Sequence, residues 1–165
     1  MVIAARQQPS AGNDNLDLES QFCFALYSTT LALGKTYAPI LAELRLTYPQ
    51  YIVMLALWQE DGLTVRALGE RLHLNSGTLT PMLKRMEQAG LVRRSRDKKD
   101  ERLVRTELTQ VGRDLRGRAQ HIPCAIAKII GLPTERLTQI KEELQGICRS
   151  LEAAGTTSGA TPFLP

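Results

Sequence analysis

Apolar residues recur along this chain with a helical period over most of its length, and the interruptions fall where turns belong. The clearest stretch runs from Leu72 to Glu87. There Leu79, Met82, Leu83 and Met86 stand at i, i+3, i+4 and i+7, behind Asn75 and Ser76, two good helix-capping types. That spacing predicts a helix with one face in a core. Before it, Asp61-Gly62 closes one segment and Thr64 opens a short helix over Val65 to Leu72, with Val65, Leu68 and Leu72 on one side. After it, Leu91 to Arg96 and Leu103 to Leu108 are strand-like runs flanking the polar segment Asp97-Lys98-Lys99-Asp100-Glu101-Arg102.

The flanking regions are helical too. From Leu16 to about Gly34 the residues Leu18, Phe22, Ala25, Leu26, Thr29 and Leu33 predict a helix with a wide apolar surface, which Pro39 breaks or kinks before a short piece over Ile40 to Leu46. Pro49, after Thr47, starts a strongly apolar helix over Gln50 to Glu60. A long helix follows Thr109 and runs to about Ile130, with Val111, Leu115, Ala119, Ile122, Ile126 and Ile129 inward, a kink at Pro123 and an end at Gly131. The last helix opens at Pro133-Thr134-Glu135, and its Leu137, Ile140, Leu144, Ile147 and Leu151 recur at three and four residues, a helix-packing seam.

A short helix, a tight turn, a second helix and a polar hairpin make a winged helix-turn-helix, in which the second helix enters the major groove of DNA. The predicted fold is therefore mainly α with a small β-hairpin wing. Residues 1–14 read as a disordered arm, 15–46 as N-terminal dimerisation and sensor helices, 47–109 as the DNA-binding domain, 110–154 as C-terminal dimerisation helices and 155–165 as a loose tail. The outer helices carry more apolar surface than one small domain needs. That predicts a homodimer, whose two-fold symmetry matches a pseudo-palindromic operator in double-stranded DNA.

The polar face of the second helix adds the chemistry. Asn75, Ser76, Thr78 and Thr80 offer short polar groups that can reach base edges, and Lys84 and Arg85, a turn later, can reach phosphates. Pro81 is awkward inside this helix and predicts a loosened first turn. In the wing, Arg94, Arg96, Lys98, Lys99, Asp100 and Arg102 are the candidate contacts. Residues 91 to 106 hold seven Lys or Arg and three Asp or Glu, a local balance of +4 that equals the formal net charge of all 165 residues. The basic excess thus sits where a hairpin tip touches DNA.

Composition narrows the setting. Apolar residues make up 43%, ordinary for a globular protein, and no uninterrupted apolar run approaches the ~18 residues of a membrane helix. The N-terminus lacks the charged-then-apolar order of a signal peptide, so a cytoplasmic location away from the membrane is expected. Cys23, Cys124 and Cys148 are odd in number and widely spaced, which argues against a secreted disulfide scaffold.

Cys23, Tyr27, Thr30, Gly34 and Tyr37 follow one another at steps of four and three, placing a thiol and two phenols on one helical ridge. The run Leu-Asn-Ser-Gly-Thr-Leu-Thr-Pro-Met-Leu-Lys-Arg-Met-Glu-Gln-Ala-Gly-Leu-Val-Arg-Arg, the wing Asp-Lys-Lys-Asp-Glu-Arg and Leu108-Thr109 resemble the MarR family of bacterial transcriptional regulators over about residues 16 to 152. Gln21-Phe22-Cys23-Phe24-Ala25-Leu26-Tyr27, Tyr37 and Thr47-Tyr48-Pro49-Gln50-Tyr51 are similar to its organic hydroperoxide resistance branch. The resemblance implies a dimeric repressor that leaves its operator when an organic hydroperoxide oxidises its N-terminal cysteine. It makes Cys23 the peroxidatic thiol and Tyr37 and Tyr48 the phenols that hydrogen-bond its sulfur, with Arg102 as the minor-groove reader braced by Asp100. Cys124 is the candidate resolving thiol, with Cys148 or a small thiol as alternatives. The sequence departs from the family pattern at Asn75, where an acidic cap is common, and at Lys99, where the wing often has Arg.

The residues themselves fit that chemistry. A thiolate attacks peroxide, phenol donors favour its charged form, and Phe22, Phe24 and Leu26 suit an organic peroxide. Two competing expectations are a repressor released by an aromatic ligand, with Cys23 inert, and a thiol peroxidase. His121 and Cys124, three residues apart, are too few for a metal site. No catalytic residue, metal or cofactor is expected.

Overall fold

The computed structural model describes residues 16–97 and 100–156. The expectations for the arm over 1–14, for most of the tail and for Lys98 and Lys99 fall outside the described residues. The chain divides into two compact units at Gly112.

In the first unit a single turn of 3-10 helix at Leu18–Ser20 leads into α1 (Phe22–Ala42), so α1 starts six residues later than the apolar pattern suggested. Pro39 lies inside it without ending it. The proline removes one hydrogen bond, to the carbonyl of Lys35, only a turn before the helix finishes, and Leu41 beyond it is fully buried, so packing holds that last turn in place. The expected helical piece to Leu46 is instead a turn in which the N–H of Leu46 bonds the carbonyl of Leu41.

Thr47 begins α2 (Tyr48–Gln59) with a reciprocal cap: its hydroxyl accepts from the Gln50 N–H, and the Gln50 side chain accepts from its own N–H. Tyr51, Val53, Met54, Ala56 and Leu57 are buried along α2, which makes it the centre of this unit, while Leu55 is exposed. Then follow β1 (Leu63–Thr64), α3 (Val65–Leu72), α4 (Ser76–Gln88), β2 (Val92–Arg96) and β3 (Val104–Leu108). The strands form an antiparallel sheet in the order β1-β3-β2, with Val92 opposite Leu108 and Arg96 opposite Val104. β1 was not anticipated: two residues are too short to carry a period, and Asp61 and Gly62 position them. The Asp61 carboxylate accepts from the N–H groups of Gly62 and Leu108, and Gly62 adopts φ +75°.

The predicted long helix after Thr109 is two helices, α5 (Gln110–Ala119) and α6 (Ile122–Ile130). Pro123 sits in the first turn of α6, where a missing N–H leaves no bond unmade, so it marks a helix start and not a kink. Leu115, Ala119, Ile122 and Ile126 are buried as the pattern required, but Val111 and Ile129 are exposed. Gly131, at φ +72°, ends α6. α7 (Thr134–Thr156) runs two residues into the expected tail. It has no buried residue among those whose burial is described. No helix among the described residues is long and apolar enough to cross a membrane.

Candidate nucleic-acid interface and thiol ridge

The helix-turn-helix is built by two caps and a glycine. The Thr64 hydroxyl accepts from the Ala67 N–H at 3.1 Å to start α3, His73 takes a left-handed φ of 54° to end it, and the Asn75 side chain accepts from the Thr78 N–H at 2.9 Å to start α4. Asn therefore caps here as an acidic residue would. A Cβ on Gly69 would lie 2.7 Å from the Leu74 carbonyl oxygen, so only glycine allows α3 to meet the turn this closely. Leu79, Met82, Leu83 and Met86 are buried, as the spacing predicted.

The opposite side of α4 exposes Ser76, Gly77, Thr78, Pro81, Lys84, Arg85 and Gln88, with Thr80 half-buried at its edge. α4 is continuous through Pro81, against the expected loosening of its first turn. The packed stripe on the far side holds it. A proline inside a helix costs about 3 kcal/mol and a glycine about 1 kcal/mol relative to alanine, so this exposed face is expensive to keep helical.

In the wing the charges divide into those that build and those left outward. Glu87, at the end of α4, accepts the Arg94 backbone N–H at 2.8 Å and its guanidinium at 3.0 Å. The Arg94 backbone N–H foremost holds the Glu87 carboxyl below the usual carboxylate range, outweighing the opposing effect of burial, with the guanidinium helping. Arg94, expected on DNA, is thus half-buried in an ion pair that fixes β2 to α4.

Asp97 is buried and pairs with Arg105, whose guanidinium also donates to the Gly62 carbonyl at 2.7 Å, tying the wing to the turn before β1. Asp97 accepts from the Asp100 N–H at 3.2 Å, and Asp100 accepts from the Arg102 N–H at 3.0 Å. The expected Asp100–Arg102 brace is therefore made through Arg102's backbone. Arg96 and Arg102 are exposed. Glu87, Asp97 and Arg105 were missed as site residues; acids inside a basic stretch were the available signal.

Cys23 is the second residue of α1 and is exposed, with Tyr27 exposed one turn further along and apolar Leu18 and Phe22 exposed nearby. Tyr37 stands on the same ridge, but fourteen residues of helix separate it from Cys23 by about 21 Å. One chain therefore brings Tyr27 within a turn of its thiol but keeps Tyr37 away from it. What it does assemble is the phenols. The Tyr37 and Tyr48 rings are 4.7 Å apart and those of Tyr37 and Tyr51 5.8 Å, and Tyr51 meets Trp58 edge-on at 6.3 Å. The Trp58 indole donates to the Gly112 carbonyl at 2.8 Å, anchoring the stack.

Burial raises all three phenol pKa values above the ordinary tyrosine value, with neighbouring phenols adding to the shift of Tyr37 and Tyr51. They are neutral O–H donors at physiological pH. Tyr51 was quoted only as part of a motif; its i, i+3 spacing from Tyr48 was the signal that it joins the cluster. Cys124, in the first turn of α6, and Cys148, on α7, are exposed free thiols. His121 is exposed, and its Nδ1 lies 2.9 Å from the Arg118 carbonyl.

The MarR family pattern matches residues 46–104, which run from the end of the α1–α2 turn through the wing. The organic hydroperoxide resistance transcriptional regulator of Bacillus subtilis is 46% identical over 138 residues, 84% of this chain and 94% of its own length. The reduced form of AbfR from Staphylococcus epidermidis bound to DNA is 36% identical, with 81% of this chain and 93% of that one covered at a TM-score of 0.64. Its disulfide-formed state is 33% identical, covering 79% and 92% at a TM-score of 0.54. With the family pattern lying over the helix-turn-helix and a relative 46% identical across 84% of this chain, the protein belongs to the MarR family of transcriptional regulators and is not an enzyme.

Proposed function

We propose that this regulator is a homodimeric, cytoplasmic repressor that senses organic hydroperoxides through Cys23 and then releases a pseudo-palindromic operator. Ser76, Thr78 and Thr80 meet base edges, Lys84, Arg85 and Arg96 meet phosphates, and Arg102 enters the minor groove beside Lys98 and Lys99. Arg94 acts through Glu87 by positioning the wing.

The observation that carries the sensing mechanism is the separation of Cys23 from a ready cluster of neutral phenols that gathers around Tyr37, farther along the same helix. Two α1 helices crossing antiparallel set the thiol of one subunit against Tyr37 and Tyr48 of the other. The exposed apolar residues of α1 supply the surface for that crossing. Phenol donors then favour the thiolate. Its sulfur attacks the terminal oxygen of the hydroperoxide, the O–O bond breaks, and the alkoxide leaves with a proton as the alcohol, giving a sulfenic acid on Cys23. A thiolate at Cys124 of the other subunit attacks that sulfur, releasing water overall and forming a disulfide. The disulfide-formed state of AbfR supports this second step. The crosslink favours a dimer whose recognition helices no longer match successive major grooves, and operator DNA in turn disfavours the oxidised form.

The test is a non-reducing gel before and after one equivalent of cumene hydroperoxide, with Cys23→Ser, Cys124→Ser and Cys148→Ser alongside. A crosslinked dimer lost in the first two variants and kept in the third is expected. Loss in Cys148→Ser instead would move the resolving role to that residue. No crosslink and no consumption of the Cys23 thiol would sink the peroxide mechanism and favour release by an aromatic ligand.

A further inference from the structure

Gly77, Pro81, Lys84 and Gln88 follow one another at steps of four, three and four, so they form the ridge at the centre of the exposed face of α4, opposite Leu79, Met82, Leu83 and Met86. The two poorest helix formers of the chain thus occupy the middle of the surface turned away from the core. Neither is demanded by the fold. Gly77 does not share the left-handed backbone of Gly62, Gly90 and Gly131, and among the described residues a Cβ on it would meet the Asn75 Oδ1, at 3.2 Å, a side-chain atom and not backbone. Gly69 and Gly112 differ, because there a backbone carbonyl stands in the way. Pro81 is exposed, and its ring fills no core position.

What the pair does create is an acceptor. Proline has no N–H, so the Gly77 carbonyl, four residues earlier, loses its α-helical donor. With no Cβ on Gly77, the backbone at this point can approach a partner more closely than elsewhere on the ridge. We infer that the Gly77 carbonyl reads a base edge in the major groove by accepting a hydrogen bond from the exocyclic amine of an adenine or a cytosine. The Pro81 ring lies against the neighbouring base, where a thymine methyl suits it. Of the four bases, only adenine and cytosine present an amine donor in that groove, so a backbone oxygen can discriminate without a long side chain. The inference rests on α4 being the recognition helix and adds a specificity element to the hydroxyls and cations of its flanks.

The test uses the full-length protein and a randomised DNA duplex pool, from which wild type, Pro81→Ala and Gly77→Ala each select their preferred site. Pro81→Ala restores the N–H that bonds the Gly77 carbonyl. Its melting temperature should rise, while the ratio of its affinities for the wild-type site and the unselected pool falls about fivefold per half-site. The lost preference should fall on one adenine or cytosine per half-site. At that position, a base analogue lacking the amine should weaken wild type by the same factor and leave Pro81→Ala indifferent. Gly77→Ala should also be less selective, because its methyl holds the backbone away. Pro81→Ala retaining every wild-type base preference, or failing to gain stability, would overturn the inference. Wild type enriching no sequence at all would instead remove the DNA-binding premise beneath it.

Discussion

Around the wing, acids and bases close on one another within a single chain; along α1 the chemistry-bearing groups are held apart by it. Asp61, Glu87 and Asp97 each accept hydrogen bonds that join two elements, so the scaffold of the proposed DNA-reading surface is built within one chain. On α1, Cys23 and Tyr37 share a ridge at a separation no side chain can span, and Leu41 is the helix's one fully buried residue among those described. Under the proposed function the two parts have different jobs. A reader of DNA has to keep its shape whatever the signal, whereas a sensor completed by a second chain can transmit a change in that chain's position.

The strongest way to break the contrast is to damage the self-sufficient part. Gly112→Ala would place a Cβ 2.1 Å from the Leu91 carbonyl oxygen, at the joint where the Thr109 hydroxyl also bonds that carbonyl and Trp58 bonds Gly112. A loss of about 3 kcal/mol, read from urea unfolding, is expected, and a wild-type midpoint would show that the joint is loose.

The sensor side is sharpened by mixing subunits. Tyr37→Phe alone should slow oxidation of Cys23 about tenfold, the scale of one lost hydrogen bond to a charged sulfur. A heterodimer of Tyr37→Phe with Cys23→Ser rebuilds one intact site if thiol and phenol come from different chains. Stopped-flow thiol loss in the mixture should therefore recover the wild-type rate. Recovery absent from a verified heterodimer would mean that the two act within one chain.

Two smaller effects concern the sheet. The Thr106 hydroxyl is fully buried in β3 and has no hydrogen-bond partner among the described residues. Thr106→Val should raise stability by about 1 kcal/mol, and a lower melting temperature would argue that the hydroxyl is satisfied in solution. Glu87→Gln should cost about 0.5 kcal/mol at neutral pH. Because the folded Glu87 carboxyl titrates below its unfolded value, its contribution is full above the ordinary carboxylate range and fades as pH falls through the depressed value. Wild type and Glu87→Gln should therefore converge in stability toward strongly acidic pH. A gap that widens there would reverse the assignment.

Much of this architecture was legible in residue order. The recognition helix, its Asn75 cap, the paired runs of the wing and the glycine stop at Gly131 all depend on neighbours within a turn or two, and local preferences decide them. Proline was the least faithful guide. Pro39 and Pro81 lie inside helices held by buried residues such as Leu41 and Met82, while Pro123 begins a helix expected to run through it. Tertiary packing set those outcomes. Among the site residues, the basic content of the wing was plain, but which cation stays outward was not: Arg94 and Arg96 look alike in sequence, and only the fold puts Glu87 beside one of them.

The sequence by itself determined a thiol and two phenols on one helical ridge, a polar recognition face and a hairpin carrying the chain's net positive charge, because periodicity and composition are local properties. Only the tertiary structure decided that β1 joins the sheet, that Tyr51 completes the phenol cluster and that Arg105 is spent on Asp97. Those depend on distances between residues far apart in the chain, which a helical period encodes along one axis and packing alone fixes in the other two.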